Sequence, residues 1–555
     1  MKVRIKIFAA LAILLAGAIV FSPLLAALGG TGLDARHLAD AFGSAPRPLV
    51  RSIGMAFISG LVSLLWGVPF ALLVDRSSPA LRRILWSLGL MVLMVPPYIV
   101  AEAWIVLLGP VGKISRSLAV LFGLGPHTTD PIELARFSVP GLVFTWPTVG
   151  IIMGGCLFPI VALSVASAYR RTDHRVFESA RLAQGRRGVF QVAVRILIAP
   201  SIGAALLVFA ATLTEFAVPQ LLRVRTLGEL IYEQIQNGDL AAAAALGLSM
   251  LPLVVIAGAV GVVVLLRSRS ASMAGLEGEV PKFTGATAGP PGQLAACVMA
   301  VAAITTALIL PIISLTWLTV TAKLPQASST GMHKLLRASG FFDSLKGAWD
   351  LAQNDAIRTV ILAGVAALLA VALAVVMARI ASSAGWGSSL GALGAGLAVP
   401  APVIGLGLIA LWDHGAAAAI YESLVIVLLA WFARFFPLVV FLVQAALARV
   451  PRELENAAAL AGRGPVERIF TVTLRGAAPG LVAAWLVMYV LSATEFSTTV
   501  LITPPGQPLI APSVVNLMRR GQDPEIAACQ FLLLAVVATP LFVIAGTWLA
   551  RRAFR

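Results

Sequence analysis

Charged residues are scarce in this chain. Only 12% of its 555 positions carry Asp, Glu, Lys or Arg, whereas 59% are hydrophobic. A soluble domain carries about 25% charged residues, so the composition excludes an ordinary soluble fold. Many stretches of about 20 apolar residues are long enough to cross a bilayer as helices. Because backbone groups must be paired internally in lipid, we expect an all-α membrane protein. The alternating segments of a β-barrel do not dominate.

Residues for metal binding and nucleotide chemistry are also few. The three cysteines, Cys156, Cys297 and Cys529, lie in apolar runs and provide neither a disulfide framework nor metal-ligand spacing. The five histidines are scattered without ligand spacing, so we predict no metal site. The phosphate-binding pattern Gly-x-x-x-x-Gly-Lys-Ser/Thr does not occur in the sequence. We therefore expect no catalytic residue, no cofactor in this chain and no ATPase activity of its own.

Basic residues outnumber acidic ones, with 41 Lys and Arg against 25 Asp and Glu and a formal net charge of +16. Such an excess can indicate a nucleic-acid-binding protein. Here, however, Lys and Arg cluster in alternate loops between the apolar runs, which is the positive-inside pattern of membrane proteins. We predict a multi-pass protein in contact with the lipid bilayer and not with nucleic acid, with both termini in the cytoplasm.

The apolar runs predict twelve transmembrane helices. The first run begins at Ile7, after Lys2, Arg4 and Lys6, as a signal peptide would. It is longer than the roughly 7–15 residues of a signal core, so we interpret it as a retained helix. The predicted spans are 7–29, 50–74, 83–108, 140–168, 199–221, 240–266, 293–320, 356–380, 387–412, 419–447, 477–502 and 526–550.

A succession of landmarks occurs twice in the same order, which indicates an internal repeat. An even number of helices in each copy inserts both copies the same way up, so the repeats are parallel. We predict a first half at 1–266, a cytoplasmic linker at 267–292 and a second half at 293–555. The matched landmarks are Arg51-Ser52 with Arg358-Thr359, Val95-Pro96-Pro97 with Val399-Pro400-Ala401-Pro402, Phe158-Pro159-Ile160 with Phe436-Pro437-Leu438, Thr214-Glu215-Phe216 with Thr494-Glu495-Phe496, and Pro252 to Gly258 with Pro540 to Gly546.

Each half also contains a short polar, basic loop, near 171–198 and near 449–475. Each loop predicts a helix of two to three turns that ends at a glycine in the left-handed conformation. An amphipathic helix lying on lipid is the alternative, but such helices carry large apolar residues on one face and the second copy offers mainly alanine. A duplicated cytoplasmic loop favours a docking site for two copies of a partner. The matched residues are Glu178, Ala180 and Gly185 in the first copy, and Glu455, Ala457 and Gly462 in the second.

These loops resemble the coupling loops of binding-protein-dependent ABC importer permeases. The pattern is Glu-x-Ala, a Gly seven residues after the Glu, and a later Pro, which Pro200 and Pro479 supply. Ser179 and Asn456 depart from it, and the Gly-to-Pro spacing is 15 residues in one copy and 17 in the other. The resemblance implies two fused permease units of the type I importer fold in a bacterial inner membrane. It also implies two ABC ATPase subunits that bind the ATP and a periplasmic substrate-binding protein.

Within that family the chain is most similar to the fused ferric-iron-type permeases. The resemblance rests on Pro97-Tyr98 through Ala103-Trp104 to Leu108-Gly109-Pro110, and on Thr499 to Gln507 with Val514 to Gly521 after it. It implies ferric iron as the substrate. Permeases for phosphonates, polyamines, thiamine and sulfate share these features, so those substrates are the alternatives.

Three charged residues interrupt the apolar spans. Glu215 and Glu495 lie about 22–24 Å along the helix axis from the prolines that start their helices, in the outer half of the bilayer. They predict either a path for a cation or caps on broken helices, with Arg223 as a further possible partner of Glu215. Arg434, whose repeat equivalent is Cys156, predicts either a path for an anion or a pair with Glu495.

Two prolines interrupt equivalent helices. Pro97 and Pro400 remove backbone donors in mid-helix and predict kinks that face the translocation path.

The competing function is a secondary transporter with Glu215 and Glu495 as proton carriers, which leaves the duplicated loops unexplained. A third possible function, that of an intramembrane enzyme, is not supported, because the sequence contains no cluster of catalytic residues at a suitable spacing.

Overall fold

The computed structural model describes residues 17–27, 29, 34–109, 114, 115, 117, 121, 143–273, 289–320, 338–383, 396, 399–520 and 524–553. The beginnings of the predicted spans 7–29, 140–168 and 387–412 lie outside the described residues, as does most of the predicted linker 267–292.

Helices make up nearly all of the described ranges, and no β-strand occurs within them. In the first half they are α1 Gly17–Ala27, α2 Ala35–Ser44, α3 Pro46–Asp75, α4 Pro79–Met91, α5 Pro97–Leu108, α6 Trp146–Arg171, α7 His174–Leu213, α8 Ala217–Leu221, α9 Leu227–Gln236 and α10 Leu240–Met273. In the second half they are α11 Pro290–Ile304, α12 Leu310–Val320, α13 Ala338–Ser383, α14 Ala401–Trp412, α15 Ala418–Tyr421, α16 Val425–Leu447, α17 Arg452–Leu460, α18 Pro465–Arg468, α19 Leu474–Ala493, α20 Thr499–Ile502, α21 Ile510–Met518 and α22 Pro524–Ala553.

Nine of the described helices are long and apolar enough to cross a membrane, or ten if a helix pair bent by 90° counts as one broken span. Two shorter apolar helices, α1 and α14, fall within the first and ninth predicted spans. Each of the twelve predicted spans therefore contains an apolar helix in its described part. The prediction of an all-α, multi-pass membrane protein is confirmed.

The 90° bend lies at the predicted proline break. A short 3-10 turn, Val92–Met94, follows α4, and α5 begins at Pro97. Because proline has no N–H, the helix cannot continue through Pro96 and Pro97. The chain re-forms a helix when Ile99 N donates to Pro96 O at 3.0 Å. The second half repeats this geometry, since Val403 N donates to Pro400 O at 3.0 Å and α14 begins at Ala401.

Small residues allow α3 and α6 to pack closely side by side. A Cβ added to Gly150 would lie 2.6 Å from Met55 O, and one added to Gly154 would lie 2.6 Å from Ser59 O. Lipid tails are as apolar as leucine, so membrane helices associate through close packing of this kind. The pair forms a rigid frame for the first half, with the start of α3 and the start of α6 at the same end.

Several helix ends differ from the predicted spans. The spans 199–221 and 477–502 stop early, at Leu213 and Ala493, because the Thr-Glu-Phe sequence turns the chain before the short helices α8 and α20. Conversely, α10 continues to Met273, beyond the predicted end at 266. In each early stop a glutamate side chain accepts hydrogen bonds from backbone N–H groups at the start of the following helix.

Candidate functional site

Equivalent residues of the two halves make equivalent hydrogen bonds. Ser52 Oγ accepts from Leu227 N at 3.0 Å, and Thr359 Oγ1 accepts from Ile510 N at 3.0 Å. Both hydroxyls are buried and both satisfy the first N–H of a short helix, α9 or α21. The Arg-Ser and Arg-Thr landmarks of the sequence thus hold the same position in the architecture of each half.

Glu495 lies in the turn between α19 and α20 and is 5% exposed. Its carboxylate accepts from the backbone N–H groups of Thr498 and Thr499, each at 2.8 Å, and from the Thr499 hydroxyl. Three donors from the start of α20 therefore surround one carboxylate. This is the helix cap that the sequence offered as one of two alternatives.

Glu215 holds the equivalent turn between α7 and α8. Its Oε1 accepts from Ala217 N at 2.8 Å, so it also caps the following helix. Unlike Glu495 it is only partly buried. Arg223, the partner suggested by the sequence, makes no ion pair with it among the described residues. Equivalent carboxylates therefore occupy unequal environments.

Arg434 breaks the symmetry of the two turns. From α16, its guanidinium forms an ion pair with Glu495, whose side chain is 2% exposed against 18% for Arg434. A second bond runs to Thr498 Oγ1 at 3.4 Å. The pairing with Glu495, one of the alternatives drawn from the sequence, is confirmed. The repeat equivalent Cys156 is buried and carries no such charge, so among the described residues only Glu495 of the two carboxylates forms an ion pair with an arginine.

Aromatic rings connect the two turns across the boundary between the halves. The rings of Phe216 and Phe496 have centroids 5.3 Å apart, and Tyr98 lies 6.5 Å from Phe496. The Tyr98 hydroxyl donates to Thr494 O at 3.3 Å. These side chains are buried, so the centre of the protein is filled by rings between the two carboxylate turns in this conformation.

The residues that follow the two proline breaks, at Pro97 and Pro400, lie at this centre. Tyr98 directly follows Pro97, and Ala401 directly follows Pro400. The carbonyl of Ala401 accepts from Thr498 Oγ1 at 3.2 Å. The structure thus brings Pro97, Pro400, Arg434, Glu215 and Glu495 into one region, which we call the central cluster.

The first loop follows α6. Asp173 caps α7, because its side chain accepts from Arg175 N at 3.0 Å. Gly185 interrupts α7 with φ 61° and ψ −141°, so the break falls at the predicted glycine, but its ψ differs from the value of about +47° of the predicted left-handed conformation. Glu178 is exposed, and Ala180 is partly exposed beside it. Among the described residues Glu178 makes no ion pair.

The second loop forms α17, which begins at Arg452 with Pro451 in the cap position. Gly462 ends it with φ 80°, and Arg463 N donates back to Ala458 O at 3.1 Å. This is the left-handed stop that the sequence predicted. Ala457 is exposed.

Glu455 accepts hydrogen bonds from two other residues of the second half. Arg379 Nη1, near the end of α13, donates to Glu455 Oε1 at 2.7 Å, and Thr473 Oγ1 donates to the same oxygen at 2.5 Å. Burial raises the pKa of Glu455, but the hydrogen bonds from Arg379 and Thr473 outweigh it and lower the pKa below its ordinary value. The two predicted loop glutamates are therefore in different states, one tied to α13 and one exposed.

Two residues near the loops were not identified from the sequence. They are Arg379 in the second half and Asp75 in the first. Asp75, at the end of α3, is 1% exposed and accepts from Arg170 Nε at 2.7 Å and Nη2 at 2.5 Å. Trp86 Nε1 donates to it at 2.8 Å. A single carboxylate at the end of a long apolar run was the available signal, since such a group needs a partner when buried.

Three curated relatives are similar to parts of the chain. The putative 2-aminoethylphosphonate transport system permease protein PhnV of Salmonella paratyphi A is 32% identical over 139 residues, which is 25% of this chain and 52% of PhnV. The putrescine transport system permease protein PotI of Escherichia coli K12 is 27% identical over 181 residues, 32% of this chain and 64% of PotI. The molybdenum transport system permease protein ModB of the same organism is 28% identical over 118 residues, 21% of this chain and 52% of ModB.

The chain spans about half to two thirds of the length of the curated relatives it matches. No protein-family model matches it. All three relatives are transport-system permeases, which supports the permease family and agrees with the resemblance seen in the loops. None of the three is named for iron, so the similarity supports permeases in general and not a ferric-iron-type member.

Proposed function

We propose that the chain is the membrane-spanning permease of an ATP-driven ABC importer in a bacterial inner membrane, with 1–266 and 293–555 as its two permease units. The observation that carries the proposal is the pair of short helices that end in positive-φ glycines and expose large apolar side chains. Leu182 is 89% exposed beside Gly185, and Leu460 is 91% exposed beside Gly462. Exposed leucines on two matched polar loops suit docking to a partner.

The partners we propose are two ABC ATPase subunits, one on each loop, and a periplasmic substrate-binding protein on the opposite face. The ATP is bound by the ATPases. Closure of the ATPases moves the two loop helices, and the Arg379–Glu455 bond passes that movement to α13. Glu178 and Ala180 in one loop, and Glu455 and Ala457 in the other, form the coupling surface. Rearrangement of the central cluster then opens the path for the substrate.

Ferric iron is the substrate we propose, on the resemblance of the segment that begins at Pro97 and of the loop that begins at Thr499. Phosphonate, polyamine, thiamine and sulfate are the alternatives, and the names of two relatives include phosphonate and putrescine transport. Uptake of each labelled substrate in a deletion strain complemented with this chain distinguishes them. Uptake of ferric iron alone supports iron, and uptake of another substrate replaces it.

The coupling surface is tested in the same strain with the double variant Glu178→Arg/Glu455→Arg. We expect this chain to be inserted and yet to lose uptake and co-purification with its ATPase. The matched control is Glu422→Arg, which reverses an exposed carboxylate at the start of α16, at the other end of the helix from the second loop. Full uptake by the double variant would contradict the coupling role of the loops.

The second candidate is a secondary transporter driven by an ion gradient. The partial burial of Glu215 favours it, because a carboxylate that is not fully enclosed can exchange a proton. The double variant Glu215→Gln/Glu495→Gln separates the two roles. We expect it to lose transport while keeping the ATPase bound. Proteoliposomes complete the test, since uptake that depends on ATP supports the importer and uptake that depends on a proton gradient alone supports the alternative.

A further inference from the structure

A cavity of about 750 Å³ opens in the first half, at the end of the bundle away from the coupling loops. It lies at the start of α3 and the start of α6, whereas the first loop follows the far end of α6. Three arginines line it, Arg51, Arg223 and Arg225, together with Trp104 and Trp146. Among the described residues that line it there is no acidic side chain. The cavity is therefore electropositive, with two indole rings in its wall.

Within the described part of the chain, two of the three guanidinium groups have no counter-ion. Arg225 pairs with Glu233 at 3.0 Å. Arg51 and Arg223 make no ion pair or side-chain hydrogen bond within the described parts of the chain. Two uncompensated cations lining one cavity repel each other, and an anion between them removes that repulsion.

The second half supplies an internal comparison. Arg358 is the repeat equivalent of Arg51, and its Nη1 donates to Gly506 O at 3.4 Å and lies 3.9 Å from Asp355 Oδ1. The position equivalent to Asp355 in the first half is Pro48. The second half thus supplies its arginine with a carboxylate and a carbonyl, whereas the described residues of the first half supply Arg51 with neither.

Arg223 also has an unusual backbone conformation. Its φ of 53° is the only positive φ of a non-glycine residue among the described residues. The equivalent position in the second half, aligned through Leu227 and Ile510, is Gly506, with φ 77°. The turn therefore requires a left-handed residue, which glycine adopts without strain and arginine does not. Backbone strain of this kind is concentrated at functional sites.

We propose that this cavity binds a small oxyanion, a phosphonate, phosphate or carboxylate group. Arg51 and Arg223 both line the cavity, and each guanidinium group offers the planar, charge-assisted donors that bind oxyanions. Trp104 Nε1 is buried without an acceptor among the described residues, and a ligand against its wall of the cavity would supply one. The volume fits a small organic anion, and the ring of Trp146 gives an apolar surface for its carbon skeleton.

Binding is measured on the purified full chain in nanodiscs, without ATPase or binding protein, so that the result does not depend on the transport function. Isothermal titration uses inorganic phosphate and phenylphosphonate as probes, with benzylamine as a cation of matched shape. The variants are Arg223→Gly, which keeps the backbone conformation of the turn, and Arg51→Gln. The matched control is Arg358→Gln in the second half.

We expect saturable binding of both anions and none of benzylamine. Each variant should weaken anion binding by at least about tenfold, the effect of one hydrogen bond to a charged group, while the control stays at wild-type affinity. No saturable anion binding, or equal affinity in wild type and Arg223→Gly, would overturn the proposal. If anions do not bind but a purified binding protein is retained only when Arg223 is present, the cations serve a protein carboxylate and the small-oxyanion site is wrong.

Discussion

Removal of the Arg434 charge should destabilise the protein strongly, because its partner cannot reach water. The Glu495 side chain is 2% exposed, and Arg434 is the only cation in ion-pair contact with it among the described residues. Breaking a buried pair from one side costs about 3–5 kcal/mol. Glu495 keeps three hydrogen bonds, from two backbone N–H groups and one hydroxyl, so we place Arg434→Met near the low end, at about 3 kcal/mol.

A double-mutant cycle isolates the pair. The variants are Arg434→Met, Glu495→Gln and the two together, and the free energy of unfolding is measured by SDS titration in mixed micelles. We expect the double variant to be less destabilised than the sum of the single ones, with a coupling of about 1–3 kcal/mol. Arg225→Met is the matched control, because the Arg225–Glu233 pair is 62% and 46% exposed and should contribute less than about 1 kcal/mol. Additive effects, or equal losses for Arg434→Met and Arg225→Met, would refute the reasoning.

Three further predictions concern the loops and the paired hydroxyls. Gly462→Ala should destabilise the end of α17 by about 1–2 kcal/mol, because Gly462 has φ 80°. Gly464→Ala should be neutral, because Gly464 has φ −62° and open space for a Cβ. Hydrogen exchange of the loop amides measures both effects. Ser52→Ala should cost about 1–3 kcal/mol in unfolding free energy by leaving the buried Leu227 N–H unpaired, and no loss in SDS titration would disprove that bond. Folding lowers the pKa of Glu455, so the ionised carboxylate contributes fully to the free energy of unfolding above the ordinary glutamate pKa. This contribution is lost as the pH falls through the lowered pKa. The unfolding midpoint of wild type should therefore fall with acid over this range, and Glu455→Gln should lack that part of the pH dependence.

The local features of the loops were readable because they depend on neighbours in sequence. Left-handed glycines, caps and proline breaks each follow from a few consecutive residues, so the chain stops or bends at Gly462 and Pro97 as predicted, and it breaks at Gly185 with a positive φ but a different ψ. The exact helix ends were not readable at the Thr-Glu-Phe turns. At these turns the helix ends where a glutamate side chain accepts hydrogen bonds from backbone N–H groups, but the apolar run continues beyond that point. Apolar composition alone therefore does not reveal where the helix ends.

Composition and apolar run length are enough to identify a helical membrane protein, because scarcity of charge and the length of apolar runs constrain any chain in lipid, and the recurring landmarks are visible in the order of residues. The differences between equivalent residues emerge only in the folded protein. Glu455 finds Arg379 across 76 positions while Glu178 stays exposed, and Arg223 occupies a left-handed turn where the other half has Gly506. Such differences arise from contacts between residues distant in sequence, whose distances and angles are set only when the helices pack.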